Sequence, residues 1–343
     1  MEVQIVKNVW LELKEYIIER DIKKLFIITD KNIYNLYKEN IDTFINKNNN
    51  LFIMEPGEEH KNIHTVHLVY KELLNKEIDR DGVILSIGGG VVGDLAGFVA
   101  STYKRGIRYI QVPTTLLSQV DSSIGGKVGI DFEGYKNVIG SFYFPMTTFV
   151  DTSFMKTLSQ REITCGLGEI LKYGLIIDYD FFKYMRSNIT KMYEKDKEVI
   201  LHAITKSISI KQSIVEKDKL DMGLRKILNF GHTVGHGIES YYKYKIFNHG
   251  EAVILGMVYE SYIAKEKGLI DNSYFQEIFK TLNPLVQTRK FNEEEINRII
   301  DYMKNDKKNK NGNISFVLPI GKGKVGMFNN IGEDIIKKIL GDR

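Results

Sequence analysis

Apolar residues follow two rhythms along this chain. In the first part, short apolar runs alternate with segments whose apolar positions recur every three to four residues. The runs lie at 25–29 (LFIIT), 51–54, 83–87 (VILSI) and 109–112, and each predicts a buried strand. Helical spacing fills 31–39, 61–75 and 91–103 between them. Strands alternating with helices of this length pair in parallel. That predicts a Rossmann-like α/β sheet with ligands at the carboxyl ends of its strands.

Beyond residue 151 the rhythm becomes helical. Long amphipathic segments run over 161–173, 197–216, 224–241 and 251–267, and no strand-like run returns until 314–318. The expected organisation is an α/β domain over 1–150, then a mostly α-helical domain over 151–343, with the boundary between 145 and 155. The Lys/Asn-rich stretches 46–50 and 305–313 read as solvated loops.

Composition narrows the class without naming a chemistry. At 343 residues the chain is long enough for two cores. A net charge of +4 argues against a nucleic-acid partner, yet leaves room for a local basic pocket that holds an anionic substrate. The lone cysteine, Cys165, excludes an intrachain disulfide and fits a reducing, cytoplasmic setting. No apolar stretch is long enough for a membrane span, and MEVQIVKNVW lacks the basic-then-apolar pattern of a secretory signal. Neither membrane insertion nor export is therefore expected.

The stretch Ser86-Ile-Gly-Gly-Gly-Val-Val-Gly-Asp94 leaves a predicted strand and opens a predicted helix. Amides at a helix N-terminus bind phosphate, and glycine lets it come close. The functional reading is a pyrophosphate cradle; the plainer one is a tight strand-to-helix turn. The spelling GGGVVGD departs from G-x-G-x-x-G and follows the third predicted strand, not the first. Asp94 is either a ribose contact or an acid favoured in the first helical turn.

In the second half, Glu169 lies in GLGEILK, His232 and His236 in NFGHTVGH, and His249 in NHGE. His232 and His236 are spaced to share one helical face, but the H-E-x-x-H signature is absent. Two imidazoles, a carboxylate and a water make an ordinary catalytic zinc set. Glu169 and His232, with His236 or His249, are thus a candidate centre. Any single histidine is more often a hydrogen-bonded structural residue, the reading kept for His60, His64, His67 and His202. Lys172 is placed to pair with Glu169 on a solvated face. Gly166 and Gly168 weaken that helix, which points to close packing or a ligand beside it. Arg225, Asn229, His232 and His236 step by four, three and four, forming one helical stripe too polar for a core. Lys127 in DSSIGGKVG, and Lys136 and Asn137 in GYKNVIG, sit in glycine-rich loops of the kind that hold phosphate; ordinary surface lysines are the alternative.

Taken in order, GGGVVGDLAGFVASTYKRGI, VPTTLLSQVDSSIGGKVGID, KNVIGSFYFP, REITCGLGEILKYGLI, GLRKILNFGHTVGHGIE and NHGEAVILGM resemble successive signatures of the 3-dehydroquinate synthase family. They span 88–257, with weaker similarity in EPGEEHK and DKKNKNGNISFVLP. The resemblance implies an NAD-binding Rossmann-like domain, a helical metal- and substrate-binding domain, a site in the cleft between, and a homodimer. It implies that Glu169, His232 and His249 hold zinc or cobalt, and that His236 touches substrate instead. Arg225 and Lys211 would hold the substrate carboxylate. Lys127, Asn137, Asn229 and His236 would contact its phosphate, with Lys307 or Lys308 as a further lysine. Arg105 matches an arginine that reaches the phosphate in the partner subunit. Asp121 and Lys172 would meet the ring hydroxyls. NAD would lie on Pro56, Gly57, Glu58, Glu59, His60, Lys61, Gly90, Val91, Val92, Gly93, Asp94, Thr114, Thr115, Lys127, Lys136, Phe154, Met155, Lys156 and Thr157. Asp221 stands where the family commonly has a glutamate proposed as proton acceptor, and its reach is shorter.

The implied reaction converts 3-deoxy-D-arabino-heptulosonate 7-phosphate to 3-dehydroquinate and phosphate, a step toward aromatic amino acids. Transient oxidation by NAD, phosphate elimination, re-reduction and aldol closure would follow in turn. Three rivals share parts of this pattern: another sugar phosphate cyclase, a metal-dependent polyol dehydrogenase, and a non-catalytic nucleotide-binding module.

Overall fold

The computed structural model describes residues 2–47, 50–243, 245–304 and 314–341. The chain divides into two compact units, Met1–Leu158 and Ser159–Arg343.

The first unit opens with β1 (Val3–Val6) and α1 (Val9–Glu19). β2 (Leu25–Asp30), α2 (Lys31–Asp42), β3 (Leu51–Met54), α3 (Ile63–Asn75), β4 (Val83–Gly88), α4 (Gly90–Thr102) and β5 (Arg108–Pro113) follow. β6 (Lys127–Phe132), β7 (Tyr135–Phe142) and β8 (Thr147–Asp151) complete it. Six strands form an all-parallel sheet in the order β1-β8-β5-β4-β2-β3. Its central strands are unbroken apolar runs because helices cover both faces; Phe26, Ile27, Ile28, Val83, Ile84, Leu85 and Ile87 are all buried. The chain leaves β2 toward β3 and leaves β4 toward β5, in opposite directions across the sheet. The order therefore reverses between β2 and β4, where sheets of this kind take ligands. Gly88, Gly89 and Gly90 lie at that point.

Three expectations for this unit need correcting. β1 reads VQIV and is only half-buried, so it carries too few apolar positions to stand out, and the glycine loop follows the fourth strand, not the third. The glycine-rich stretch read as loops around Lys127 and Lys136 is an antiparallel hairpin, β6 with β7. Its glycines serve strand approach: a Cβ on Gly140 would overlap the Val128 carbonyl oxygen, and one on Gly129 would lie 2.8 Å from that of Ile139. Asn50, expected in solvent, is buried; its side chain donates to Leu25 O at 2.7 Å and accepts from Asn46 N at 2.8 Å.

The second unit holds α5 (Gln160–Ile176), α6 (Tyr179–Ser187), α7 (Ile189–Tyr193), α8 (Lys197–Lys217), α9 (His232–Tyr241), α10 (His249–Glu266), α11 (Asn272–Leu282) and α12 (Glu293–Lys304). The hairpin β9 (Phe316–Gly321) with β10 (Lys324–Phe328) and the helix α13 (Glu333–Gly341) end it. α5 and α10 form its centre, and α5 is buried at every position from Ile163 to Ile176. Their backbones touch: a Cβ on Gly250 would overlap the Cys165 carbonyl, and one on Gly168 would lie 2.9 Å from Gly250 O. Close packing thus explains a glycine in this turn of α5. Each helix has its start fixed by a side chain, Ser159 on the Glu162 amide and an Asn248–Glu251 capping box.

The helix expected over 224–241 is two pieces. A 3₁₀ turn, Leu224–Asn229, ends at Phe230 in extended backbone, and α9 starts afresh after Gly231 at φ 80°. The stripe of Arg225, Asn229, His232 and His236 is therefore not one helical face. Gly231 has to be glycine here, because a Cβ would lie 2.7 Å from Val253 O on top of its positive φ. Among the described residues no helix is long and apolar enough to cross a membrane.

Candidate functional site

Three helices of the second unit each deliver one metal-type ligand. Glu169 projects from the middle of α5, His232 is the first residue of α9, and His249 is the first residue of α10. His232 Nε2 lies 3.5 Å and His249 Nε2 3.7 Å from Glu169 Oε1. One donor atom from each of the three falls within 4.8 Å of the others. Of the partners left open by spacing, His249 is the one that joins Glu169 and His232. His236, 5.2 Å from His232 between ring centroids, groups instead with Glu239 and His249.

The chemistry of this set fits a divalent cation. Glu169 is fully buried; Lys172 meets its Oε2, and its Oε1 accepts no hydrogen bond among the described residues. A carboxylate in that position is stable only against a cation. Lys172, also buried, places its ammonium beside Oε2, so the pair is internal and not on a solvated face. Each imidazole has its Nδ1 against an acceptor: His232 faces Phe230 O at 3.1 Å and His249 faces Glu239 Oε2 at 3.5 Å. With Nδ1–H donated, both rings turn the Nε2 lone pair toward Glu169. Two nitrogens and one oxygen suit zinc or cobalt and leave room in the shell for substrate.

The other expected substrate residues of this unit lie on α8 and on the turn before α9. Lys211 and Arg225 are buried, and Arg225 donates from Nη1 to Lys219 O at 3.2 Å. Asp218 shapes that turn by accepting from the amides of Met222, Gly223 and Arg225. Those bonds hold its carboxyl below the ordinary value. Asp221 sits in the same turn at φ 58°. Asn229 ends the 3₁₀ turn, outside α9. Lys307 and Lys308 lie outside the described residues.

In the first unit four of the expected cofactor residues, Glu58, Lys61, Asp94 and Lys136, form one charged cluster around the buried Lys61. Lys61 Nζ lies 2.5 Å from Glu58, 3.5 Å from Asp94 and 3.7 Å from Asp131. Lys136 joins at 3.4 Å from Glu58. Burial alone would lower the Lys61 value, but Asp94 and Glu58 outweigh it and raise it. Burial pushes Asp94 up to about 6, against the pull of Lys61. Gly90 opens α4 with Gly89 as the cap, so no cap side chain covers its first amides. Val92, Phe154 and Met155 are buried side chains that offer a ligand only their main chain. Thr114 is buried, whereas Lys127, Lys156, Thr157, Arg105 and Asn137 are exposed and Asp121 is half-buried. Arg105 and Asn137 have positive φ, and the Asn137 amide donates to Asp131.

Sequence reading missed two buried carboxylates. Glu239 faces His249, and Glu260 lies deep in α10. The available signal was Glu260 itself, an acid inside the otherwise apolar AVILGMVYESYIA, which cannot be buried without donors.

Comparison with known proteins shows which family the chain is similar to. Residues 51–165 match the 3-dehydroquinate synthase N-terminal family and residues 166–309 its C-terminal counterpart. The 3-dehydroquinate synthase of Alkaliphilus metalliredigens (strain QYMF) is 46% identical over 303 residues, covering 88% of this chain and 85% of that one. A structure of 2-deoxy-scyllo-inosose synthase complexed with carbaglucose-6-phosphate, NAD+ and Co2+ superposes with a TM-score of 0.87 at 25% identity, over 99% of this chain and 96% of that one. ValA, a 2-epi-5-epi-valiolone synthase from Streptomyces hygroscopicus subsp. jinggangensis 5008 solved with NAD+ and Zn2+, shares the fold at a TM-score of 0.86 and 23% identity, over 99% and 95% of the two chains. Both halves of the sequence point the same way, and the chain belongs to the 3-dehydroquinate synthase family.

Proposed function

We propose that this chain is a 3-dehydroquinate synthase, a carbon–oxygen lyase that converts 3-deoxy-D-arabino-heptulosonate 7-phosphate to 3-dehydroquinate and phosphate. The observation that carries the reading is the convergence of Glu169, His232 and His249 in a chain whose two halves both match that family. Glu169, His232 and His249 would hold zinc or cobalt, which would supply acidification of a substrate hydroxyl, and bound NAD would supply reversible hydride transfer.

The rest is positioning and charge. Lys211 and Arg225 bind the substrate carboxylate. Both are buried, so the carboxylate they meet is shielded from water and the attraction is strong. The family resemblance assigns Lys127, Asn137, Asn229 and His236 to the substrate phosphate, and Asp121 and Lys172 to its ring hydroxyls. His236, Asp221 and the substrate phosphate itself are the candidates for taking the proton lost before elimination. The glycine loop and the Lys61 cluster would hold NAD. We read the protein as a cytoplasmic homodimer in which Arg105 serves the neighbouring subunit. The hairpin leaves Phe132, Tyr135, Val138 and Phe142 exposed, which gives a second copy an apolar surface to cover.

Against a 2-deoxy-scyllo-inosose synthase, the family match and the 46% identity to a 3-dehydroquinate synthase outweigh a likeness at 25%. The test is phosphate release from the heptulosonate phosphate with catalytic NAD. Release that stops with chelator and returns with Co2+ or Zn2+, without net NADH, is expected. Turnover of glucose 6-phosphate instead, or accumulation of NADH, overturns the reading.

A further inference from the structure

α10 carries His249, Val253, Gly256 and Glu260 at steps of four, three and four, so they share one face. That face receives α9 at backbone distance. A Cβ on Gly256 would overlap the Gly231 carbonyl oxygen, and one on Gly235 would lie 2.7 Å from Ala252 O. At this junction the chain turns sharply, from extended Phe230 through Gly231 at φ 80° into His232, the first residue of α9.

A helix start leaves amides in need of acceptors, and a side chain at the cap usually supplies one. Here the cap is glycine and supplies none. The acceptor comes from the facing helix instead. Glu260 Oε2 accepts from Gly231 N at 2.6 Å, and Oε1 accepts from Thr233 N at 3.1 Å and Val234 N at 3.0 Å. Glu260 is fully buried. Bonds from amides to a buried carboxylate are short and strong, and an acid at a helix N-terminus gains further from the helix dipole.

We propose that Glu260 is a positioning residue for the metal centre: it clamps the backbone on both sides of His232 and so aims that ligand. The proposal rests on the metal reading of Glu169, His232 and His249. The amides before and after His232, those of Gly231 and Thr233, are both held by the one carboxylate, and the ring is held by Nδ1 on Phe230 O. Little freedom is left to Nε2. α10 therefore sets two of the three ligands, His249 directly and His232 through Glu260. Its buried acid is the device that transfers the position of one helix to the other.

Glu260→Gln tests this. The amide keeps the size and one acceptor oxygen but turns an NH2 toward amides that need acceptors. Groups that orient metal ligands typically affect affinity by about 10- to 100-fold. The variant is expected to bind Co2+ more weakly by that factor, to shift the visible d–d bands of the bound ion, and to lose kcat more than it raises KM. Ile278→Ala, which opens a cavity in buried α11, is the stability control and should leave Co2+ affinity and spectrum as in the wild type. Wild-type protein that gives no stoichiometric Co2+ spectrum overturns the metal reading and this proposal with it. Wild-type binding matched within about twofold by Glu260→Gln, with identical bands, overturns the proposal alone. A measurement on the wild-type protein stands whether or not the variant folds: the Gly231 amide proton should resonate far downfield and exchange slowly before metal is added. Rapid exchange there contradicts the clamp.

Discussion

The two candidate sites are built in opposite ways. The glycine loop is local: a strand, three glycines and a helix in consecutive residues, with no cap side chain over the first amides of α4. The ligand triad is non-local, one residue from each of α5, α9 and α10, and it is held by carboxylates that touch neither sugar nor cofactor in our reading. A local site depends on backbone shape, which few side chains influence. A non-local site depends on how closely helices approach, and each buried charge in it is stabilised only by the others.

The sharpest separation of the two comes from Glu169→Ala. It removes a ligand and strands Lys172 as a buried ammonium without its acid. Breaking a buried pair by deleting one member costs about 3–5 kcal/mol. For a unit of this size that is a fall in Tm of roughly 6–20 °C. Phosphate release should become undetectable, and Co2+ content after dialysis should be nil. NAD binding to the first unit, read by calorimetry, should persist. Normal turnover with normal metal content would remove the non-local site from the argument altogether.

Glycine substitutions compare the sites on equal terms. A methyl at Gly256 overlaps a backbone oxygen of Gly231, which no rotamer change can relieve. A methyl at Gly93 meets only the side-chain amide of Gln111, which can swing away. Helix propensity favours alanine at both positions by about 1 kcal/mol. Overpacking at Gly256 should exceed that gain and leave a net loss of about 2 kcal/mol, whereas Gly93→Ala should be near neutral. Thermal melting of the metal-free and NAD-free protein checks both. Equal losses would mean that the glycine loop is packed as tightly as the helix pair.

The same contrast explains what could be read from the sequence. The strands at 25–29, 83–87 and 109–112 were legible because burial on both faces fills them with mostly apolar residues, and the half-buried edge strand at 51–54 because all four of its residues, LFIM, are apolar. The strand β1, VQIV, is also half-buried but is broken by Gln4, and it was not legible. Glu169, His232 and His249 were legible as residue types, and the resemblance chose His249 over His236. Their geometry was not legible, since periodicity assumes an unbroken helix, and the break at Gly231 is imposed by Val253 and Met257 from another helix. Glu260 and Glu239 escaped for the same reason: their donors lie elsewhere in the chain.

The smallest effect probes the local site by itself. Asp94, in the second turn of the glycine-loop helix, has its carboxyl pushed by burial up to about 6, with Lys61 pulling the other way and Glu58 adding to the rise. An acid whose folded value lies above its ordinary 3.8 binds its proton more tightly in the folded chain. Its ionisation therefore destabilises the fold. That penalty is absent below pH 3.8 and grows to its full size once pH passes about 6. Asp94→Asn removes it. Because the side chain is 19% exposed, water screens part of the penalty, and a gain of about 1 kcal/mol, or roughly 2–4 °C in Tm, is expected at pH 8. The gain should shrink through pH 6 and vanish near pH 4, with wild type and variant compared by calorimetry in NAD-free buffer at each pH. If the variant melts lower than the wild type at pH 8, the attraction to Lys61 outweighs burial. The acid would then be a structural partner of that lysine, and the local site would depend on a buried charge network just as the ligand triad does.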